Sequence, residues 1–196
     1  MDRALEEPRR TGEGMKHEVR IAGRGGQGIL LTGVVLGKAA TIFDGKMATQ
    51  MQSYGPEARG GASKTDVVIS DDPINYPFIL MADVFVALSA PAYQKYRREV
   101  KKDSLSYVDP QQVPSYSTRC VEIPAMSLAL ELGAEIVTNM VMLGAVTTHA
   151  SLVSFEALSK AITSSVAPDY VDLNIRAIGK GRDYVEHHLI EENKNV

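Results

Sequence analysis

Residues 17–43 read HEVRIAGRGGQGILLTGVVLGKAATIF. The first seven alternate in character and stop at Gly23, the pattern of a strand. Residues 26–43 then run as a helix that is apolar almost all round, so it should be buried against a sheet and a neighbour. Gly33 and Gly37, on one face of it, would permit close approach of another backbone. Between strand and helix, Gly23, Gly25 and Gly28 satisfy G-x-G-x-x-G in the context that motif requires. Glycines let the chain turn sharply and let a phosphate come close, and the first N–H groups of the helix point at the anion with the positive end of the dipole behind them. A nicotinamide or flavin site would need an acid about 20 positions on, at the end of the second strand. Here that strand ends in TQMQSY, with Gln50, Gln52 and Ser53, and Asp44 precedes it. The motif therefore reads as a phosphate cradle without the dinucleotide signature, or as a tight turn with no ligand.

Working outward, further strands are expected at 46–52 (KMATQMQ), 62–70 (ASKTDVVIS), 82–89 (ADVFVALS), 104–110 (SLSYVDP) and 119–124 (RCVEIP). The run at 82–89 is near-continuously apolar, as a central strand buried on both faces should be. Helices are expected at 91–102, opening on Pro91 and ending in lysines with YRREVKK as a solvated face; at 125–133, stopped by Gly133; and at 138–150, buried. Two more follow, one N-capped by Ser154 and one over 172–189 weakened near Gly179 and Gly181. Strands alternating with helices give an α/β, Rossmann-like three-layer fold, with a mostly parallel sheet and helices on both faces. Residues 1–14 read as a disordered N-terminal extension, 15–189 as one domain and 190–196 as a flexible tail.

The whole chain has 196 residues, 44% hydrophobic and 23% charged, with a net charge of −3, ordinary values for one globular domain. No basic cluster suggests nucleic acid, and no apolar run approaches the roughly 20 residues of a membrane span. The only cysteine, Cys120, excludes an intramolecular disulfide and an iron–sulfur cluster held by this chain, and a cytoplasmic setting is expected.

Residues 52–61, QSYGPEARGG, form the second motif. A surface turn needs glycine and proline but neither Tyr54 nor Arg59, one an amphipathic ring and the other a planar fork for carboxylate or phosphate. Loops at the carboxyl ends of strands make the ligand crevice in this fold class, so this loop should stand beside the glycine cradle. AGRGGQGILLTGVVLGKAA and QSYGPEARGGASKTDVVIS, in this order and spacing, resemble the gamma subunits of 2-oxoacid:ferredoxin (acceptor) oxidoreductases, most closely the 2-oxoglutarate branch. The likeness continues through PFILMADVFVALSAPAYQKY, EIPAMSLALELG and TNMVMLGAV to NIRAIGKG. It implies an enzyme that oxidatively decarboxylates a 2-oxoacid with coenzyme A, giving acyl-CoA, CO2 and reduced ferredoxin. Thiamine diphosphate, Mg and iron–sulfur clusters would then sit in partner subunits, alpha and beta, with delta a further candidate; no thiamine diphosphate motif of the GDG-to-NN kind is present here.

The resemblance further implies that this chain, inactive alone, helps hold coenzyme A. Gly23, Gly25, Gly26, Gln27 and Gly28 fall near the diphosphate, and Asn139 matches the family's Asn before the buried helix, there either facing the same ligand or capping the helix. Tyr54 and Arg59 meet the coenzyme, a partner subunit, or both. The family often has Phe or a similar residue where Arg24 stands; Arg24 adds positive charge beside the cradle, to assist phosphate or to face water. The competing readings are a free-standing dinucleotide-binding enzyme and a pure scaffold subunit of a pyruvate, ketoisovalerate or indolepyruvate oxidoreductase. A homodimer is a candidate state of the isolated chain. The remaining reactive side chains read structurally: Cys120 as a small buried hydrophobe, His149, His187 and His188 as helix-end cations, His17 as exposed, and Glu57 as a carboxylate with no partner for catalysis.

Overall fold

A computed structural model describes residues 15–53, 62–117 and 119–190. Six strands form one sheet in the order β2-β3-β1-β4-β5-β6: β1 (Lys16–Arg24), β2 (Met47–Ser53), β3 (Ala62–Ser70), β4 (Ala82–Ala87), β5 (Val100–Val108) and β6 (Val121–Glu122). β1, β4, β5 and β6 pair in parallel, while β3 runs antiparallel to both β1 and β2. The reversal has a simple cause. Residues 54–61 are too few for a crossover, so β2 can meet β3 only as a hairpin neighbour. β2 is thereby separated from β1 by β3. Ala62, the first residue of β3, pairs with Arg24 at the glycine turn. Residues 54–61 themselves, with Tyr54, Glu57 and Arg59, lie outside the described residues, as do 1–14 and 191–196.

The helices are α1 (Ile29–Lys38, continued by one wider turn, Ala39–Phe43), α2 (Ala90–Tyr96), α3 (Ala125–Glu131), α4 (Thr138–His149), α5 (Phe155–Thr163) and α6 (Pro168–Val185). Strand alternation sorts the core. Val19, Ile21, Val67, Ile69, Val84, Val86 and Tyr107 face one way, into a cluster with α1, α3, α4, α5 and α6. Ala22, Phe85, Ala87 and Val108 face the other, against Ala92, Tyr93 and Tyr96 of α2. This is the three-layer arrangement expected, with β4 buried on both faces.

Five local expectations change. The helix read at 91–102 ends at Tyr96, and Val100 already pairs with Ala82, so YRREVKK is not a helix face. Lys101 is a strand residue bonded to Glu18 and Asp83, and Glu99 reaches Arg20. Gly33 and Gly37 admit no second backbone: a Cβ on Gly33 would strike the side chains of Gln50 and Thr65, and one on Gly37 would meet nothing. Gly181 and Gly144 do that work instead. A Cβ on Gly181 would collide with the Val141 carbonyl and one on Gly144 with that of Ile178, so α6 lies backbone to backbone with α4 and is continuous through Gly179. His149 is no helix-end cation: Tyr107 Oη lies 2.8 Å from its Nδ1, and burial holds the imidazole below its ordinary range. His17 is half-buried rather than exposed, and burial lowers it too.

Candidate functional site

The site is built where β1 ends. Gly26 and Gly28 take left-handed φ values of +91° and +67°, which favour glycine, and Gly28 is the N-cap of α1. Each glycine has its own reason. A Cβ on Gly23 would lie 2.6 Å from Ile29 Cδ1, and one on Gly28 2.5 Å from Asn139 Nδ2. Gly26 meets nothing within 4 Å, because it faces open space.

Gln27 shapes the turn rather than reaching outward. Its Oε1 accepts the Arg24 N–H at 2.6 Å and its Nε2 donates to the Leu88 carbonyl at 2.8 Å, joining the turn to the end of β4. Asn139 neither caps α4 nor stands free. Its Nδ2 donates to Thr32 Oγ1 at 3.1 Å and Gly28 O at 3.4 Å, so it ties the start of α4 to the start of α1. Gln50, where a dinucleotide enzyme would place its ribose-binding acid, donates to Leu30 O and Thr65 Oγ1 and braces α1 instead.

Around this turn lies a cleft of about 480 Å³ lined by Arg24, Gly25, Gly26, Gln27, Thr138 and Asn139, with Leu88, Gln112 and Glu135 completing the wall. Of the sequence-derived candidates, the structure brings together Gly25, Gly26, Gln27 and Asn139 here, with Gly23 and Gly28 forming the turn beneath. Tyr54 and Arg59 lie outside the described residues. A second space of about 330 Å³ opens between the starts of α1, α4 and α6.

The electrostatics favour an anion. Every helix leaves N–H groups unpaired at its start. Ser89 and Ser154 cap α2 and α5, and the buried Asp109 accepts the Met126 N–H at 2.7 Å in α3. The starts of α1, α4 and α6, at Gly28, Val137 and Ala167, carry no side-chain cap, and all three line the cleft system. The start of α1 and the exposed Arg24 therefore put a helix dipole and a cation beside the glycine turn, whereas the first N–H groups of α4 are taken by the 3-10 turn before it, Glu135–Val137. Asp109 also sets the wall: its carbonyl accepts the Gln112 N–H, while burial pushes its carboxyl above the usual range.

Among the described residues no group of three or more His, Cys, Asp or Glu side chains could hold a metal ion, and no helix is long and apolar enough to cross a membrane. Cys120 is half-buried, 3.9 Å from Tyr93 Oη, and offers no cluster ligation. Sequence reasoning missed Leu88, Gln112, Glu135, Ile136, Thr138, Tyr170 and Asn174 in these walls. Thr138 adjoins Asn139 and was within reach of the same motif; the others come from distant elements and carry no local signal.

Comparison with known proteins gives a consistent result. The family described as pyruvate ferredoxin/flavodoxin oxidoreductase matches residues 18–184. The chain is 46% identical over 173 residues to the 2-oxoglutarate synthase subunit KorC of Methanocaldococcus jannaschii, covering 85% of this chain and 92% of that protein. It superposes with a TM-score of 0.78 and 39% identity on the crystal structure of the keto/oxoacid ferredoxin oxidoreductase gamma subunit from Geobacter sulfurreducens, over 86% of this chain and 95% of that one. The 2-oxoglutarate:ferredoxin oxidoreductase from Magnetococcus marinus, solved with 2-oxoglutarate, coenzyme A and succinyl-CoA bound, shares the fold at a TM-score of 0.74 and 20% identity, over 90% of this chain and 32% of that one.

Proposed function

From the chain's membership of the pyruvate ferredoxin/flavodoxin oxidoreductase family, as a gamma subunit of a 2-oxoacid:ferredoxin oxidoreductase closely matching the 2-oxoglutarate synthase branch, we propose that it forms the diphosphate end of the complex's coenzyme A site. The complex would take 2-oxoglutarate and coenzyme A to the acyl-CoA and CO2, with two electrons passing to ferredoxin. Thiamine diphosphate, Mg and the iron–sulfur clusters would belong to the alpha and beta subunits, and thiamine diphosphate would supply the electron sink for decarboxylation. This chain's part is to bind and orient. The observation that carries the reading is the cleft over the glycine turn, where the exposed Arg24 and the backbone of Gly25 and Gly26 stand before the uncapped start of α1. Gly25 and Gly26 would present backbone N–H groups, and Arg24 would pair with a phosphate.

Tyr54 and Arg59 belong to this reading by sequence. Ala62, the residue that follows 54–61 in sequence, pairs with Arg24 at the cleft, and Tyr54 and Arg59 would meet the coenzyme, a companion subunit, or both. A delta subunit is a further candidate partner, and a homodimer is the candidate state of the isolated chain.

We further propose that the face toward the companion subunits is the connection after β3, where Tyr76, Phe78, Leu80 and Met81 are all exposed. It leaves β3 at Ser70, at the end of the sheet away from the glycine turn.

The experiment is purification of the native complex with an assay of 2-oxoglutarate- and coenzyme A-dependent ferredoxin reduction, followed by Arg24→Gln. Expected are co-purification with larger subunits, activity with 2-oxoglutarate and not with pyruvate, and a KM for coenzyme A raised about three- to tenfold with kcat unchanged. Activity with pyruvate alone would move the substrate to another branch. An unaltered coenzyme A KM would remove this chain from the coenzyme site.

A further inference from the structure

Behind one wall of the cleft sits a buried carboxylate to which the proposed function gives no part. Asp109 directly follows β5 and is 0% exposed. Among the described residues no cation pairs with it, and backbone N–H groups alone meet its charge. Oδ1 accepts the Gln111 N–H at 2.9 Å and Oδ2 the Met126 N–H at 2.7 Å. Taking a carboxylate out of water with no counter-charge is costly, and burial outweighs these bonds in holding it above its usual range.

What Asp109 holds is Gln112, and it does so from both ends. The Asp109 carbonyl accepts the Gln112 N–H at 3.0 Å and the Val113 N–H at 2.8 Å. At the other end, the Gln112 side chain donates from Nε2 to Met126 Sδ at 3.0 Å, and Met126 is the residue whose own N–H the Asp109 carboxylate binds. The Gln112 carbonyl in turn accepts the Ala90 N–H at 3.1 Å, at the start of α2. One carboxylate thus ties the end of β5 to the starts of α2 and α3. Gln112 lines the cleft, whereas Asp109 and Met126 lie behind it. A thioether is a weak acceptor, so the contact with Met126 directs the amide more than it occupies it. One N–H and the carbonyl oxygen of Gln112 remain for a ligand.

We propose that Asp109 is a positioning residue, which fixes Gln112 so that the free part of its amide hydrogen-bonds the ligand lying over the glycine turn. This rests on the coenzyme A reading of the cleft. The acid is not interchangeable with its own amide. Both of its oxygens accept N–H groups, and Asn would turn an NH2 group toward one of them.

The test uses the assembled complex carrying Gln112→Ala, Asp109→Asn, the two together, Met126→Leu or Arg24→Gln, with kcat and the KM for coenzyme A measured for each. Gln112→Ala is expected to raise that KM about three- to tenfold with kcat unchanged, as the loss of one hydrogen bond would. Asp109→Asn should do the same, and the double variant should be no worse than Gln112→Ala alone, because the acid acts through the amide. Met126→Leu keeps the N–H on Asp109 and removes only the sulfur, and it should move KM the same way by less. If Asp109→Asn lowers kcat, or changes KM as much beside Gln112→Ala as it does alone, its role is structural and the proposal is overturned. Where Asp109→Asn prevents assembly, Met126→Leu decides: an unchanged KM overturns the proposal. If Gln112→Ala leaves KM unchanged while Arg24→Gln raises it, the coenzyme reading stands and only the positioning role is lost. If neither moves it, the coenzyme reading falls as well.

Discussion

Gly28 shows how much one position can decide. It must adopt φ +67° to turn β1 into α1, and a Cβ there would lie 2.5 Å from the amide of Asn139, which bridges two helix starts. Gly28→Ala combines backbone strain with a collision and should cost roughly 1–3 kcal/mol, read by chemical denaturation. Gly26→Ala meets no atom and should cost about 1 kcal/mol through its φ alone. Tyr107 and His149 set a second residue-scale expectation. Burial lowers the folded His149 below its ordinary value of about 6.5, so below that pH the unfolded chain takes up a proton that the folded one resists. Stability contributed by neutral His149 is therefore present at neutral pH and lost as pH falls below about 6.5. The half-buried His17 adds in the same direction. Thermal melts from pH 7.5 to 5.5 should fall more steeply for wild type than for His149→Phe. Equal slopes would mean that the imidazole titrates normally.

Between elements, α4 and α6 depend on Gly144 and Gly181, whose Cα atoms sit against the opposite helix backbone. Gly181→Ala should force the helices apart and cost at least about 1–3 kcal/mol. Gly179→Ala, two residues away with nothing within 4 Å, should instead stabilise by up to about 1 kcal/mol through helix propensity. Opposite signs from the same substitution would separate packing from propensity; like signs would refute the close contact. The sequence marks both glycines as helix weakeners because propensity is local and a neighbouring helix is not. The same limit runs through the rest. Period-2 and period-3.6 patterns placed β1, β3, β4 and α4 closely, because burial against one sheet leaves its mark on each residue. The end of α2 was obscured because its lysines suit a helix terminus as well as an edge of β5. The place of β3 between β1 and β2 depends on pairing partners that no local pattern records. Of the cleft, Gly25, Gly26, Gln27 and Asn139 were legible as motif residues. Leu88, Gln112, Tyr170 and Asn174 were not, since they meet the turn only through the fold.

Across the whole molecule, one buried cation joins several parts. Arg20, fully buried in β1, makes a two-pronged pair with Asp66 of β3 at 2.8 Å, donates to the Ile79 carbonyl, and reaches Glu99 before β5. Its charge has no route to water, so Asp66→Ala should cost roughly 3–5 kcal/mol. Glu99→Gln should cost much less, because the Glu99 side chain is 44% exposed. The hold on Ile79 also shapes the outer surface. Ile79 is buried with Val68 and Ala82, and its neighbours Phe78, Leu80 and Met81 are turned outward, Leu80 to 73% exposure. Apolar side chains held out from a pinned backbone suit a subunit that meets others. Phe78→Ser with Leu80→Asp removes apolar surface without touching the core, so the melting temperature of the isolated chain should stay within a degree or two, as surface changes of about 0.5 kcal/mol allow. Reconstitution with the alpha and beta subunits, followed by gel filtration and activity, should weaken at least about tenfold, in keeping with the loss of central apolar contacts. Full assembly of the double variant would place the companion subunits elsewhere and leave the strip a property of this chain alone.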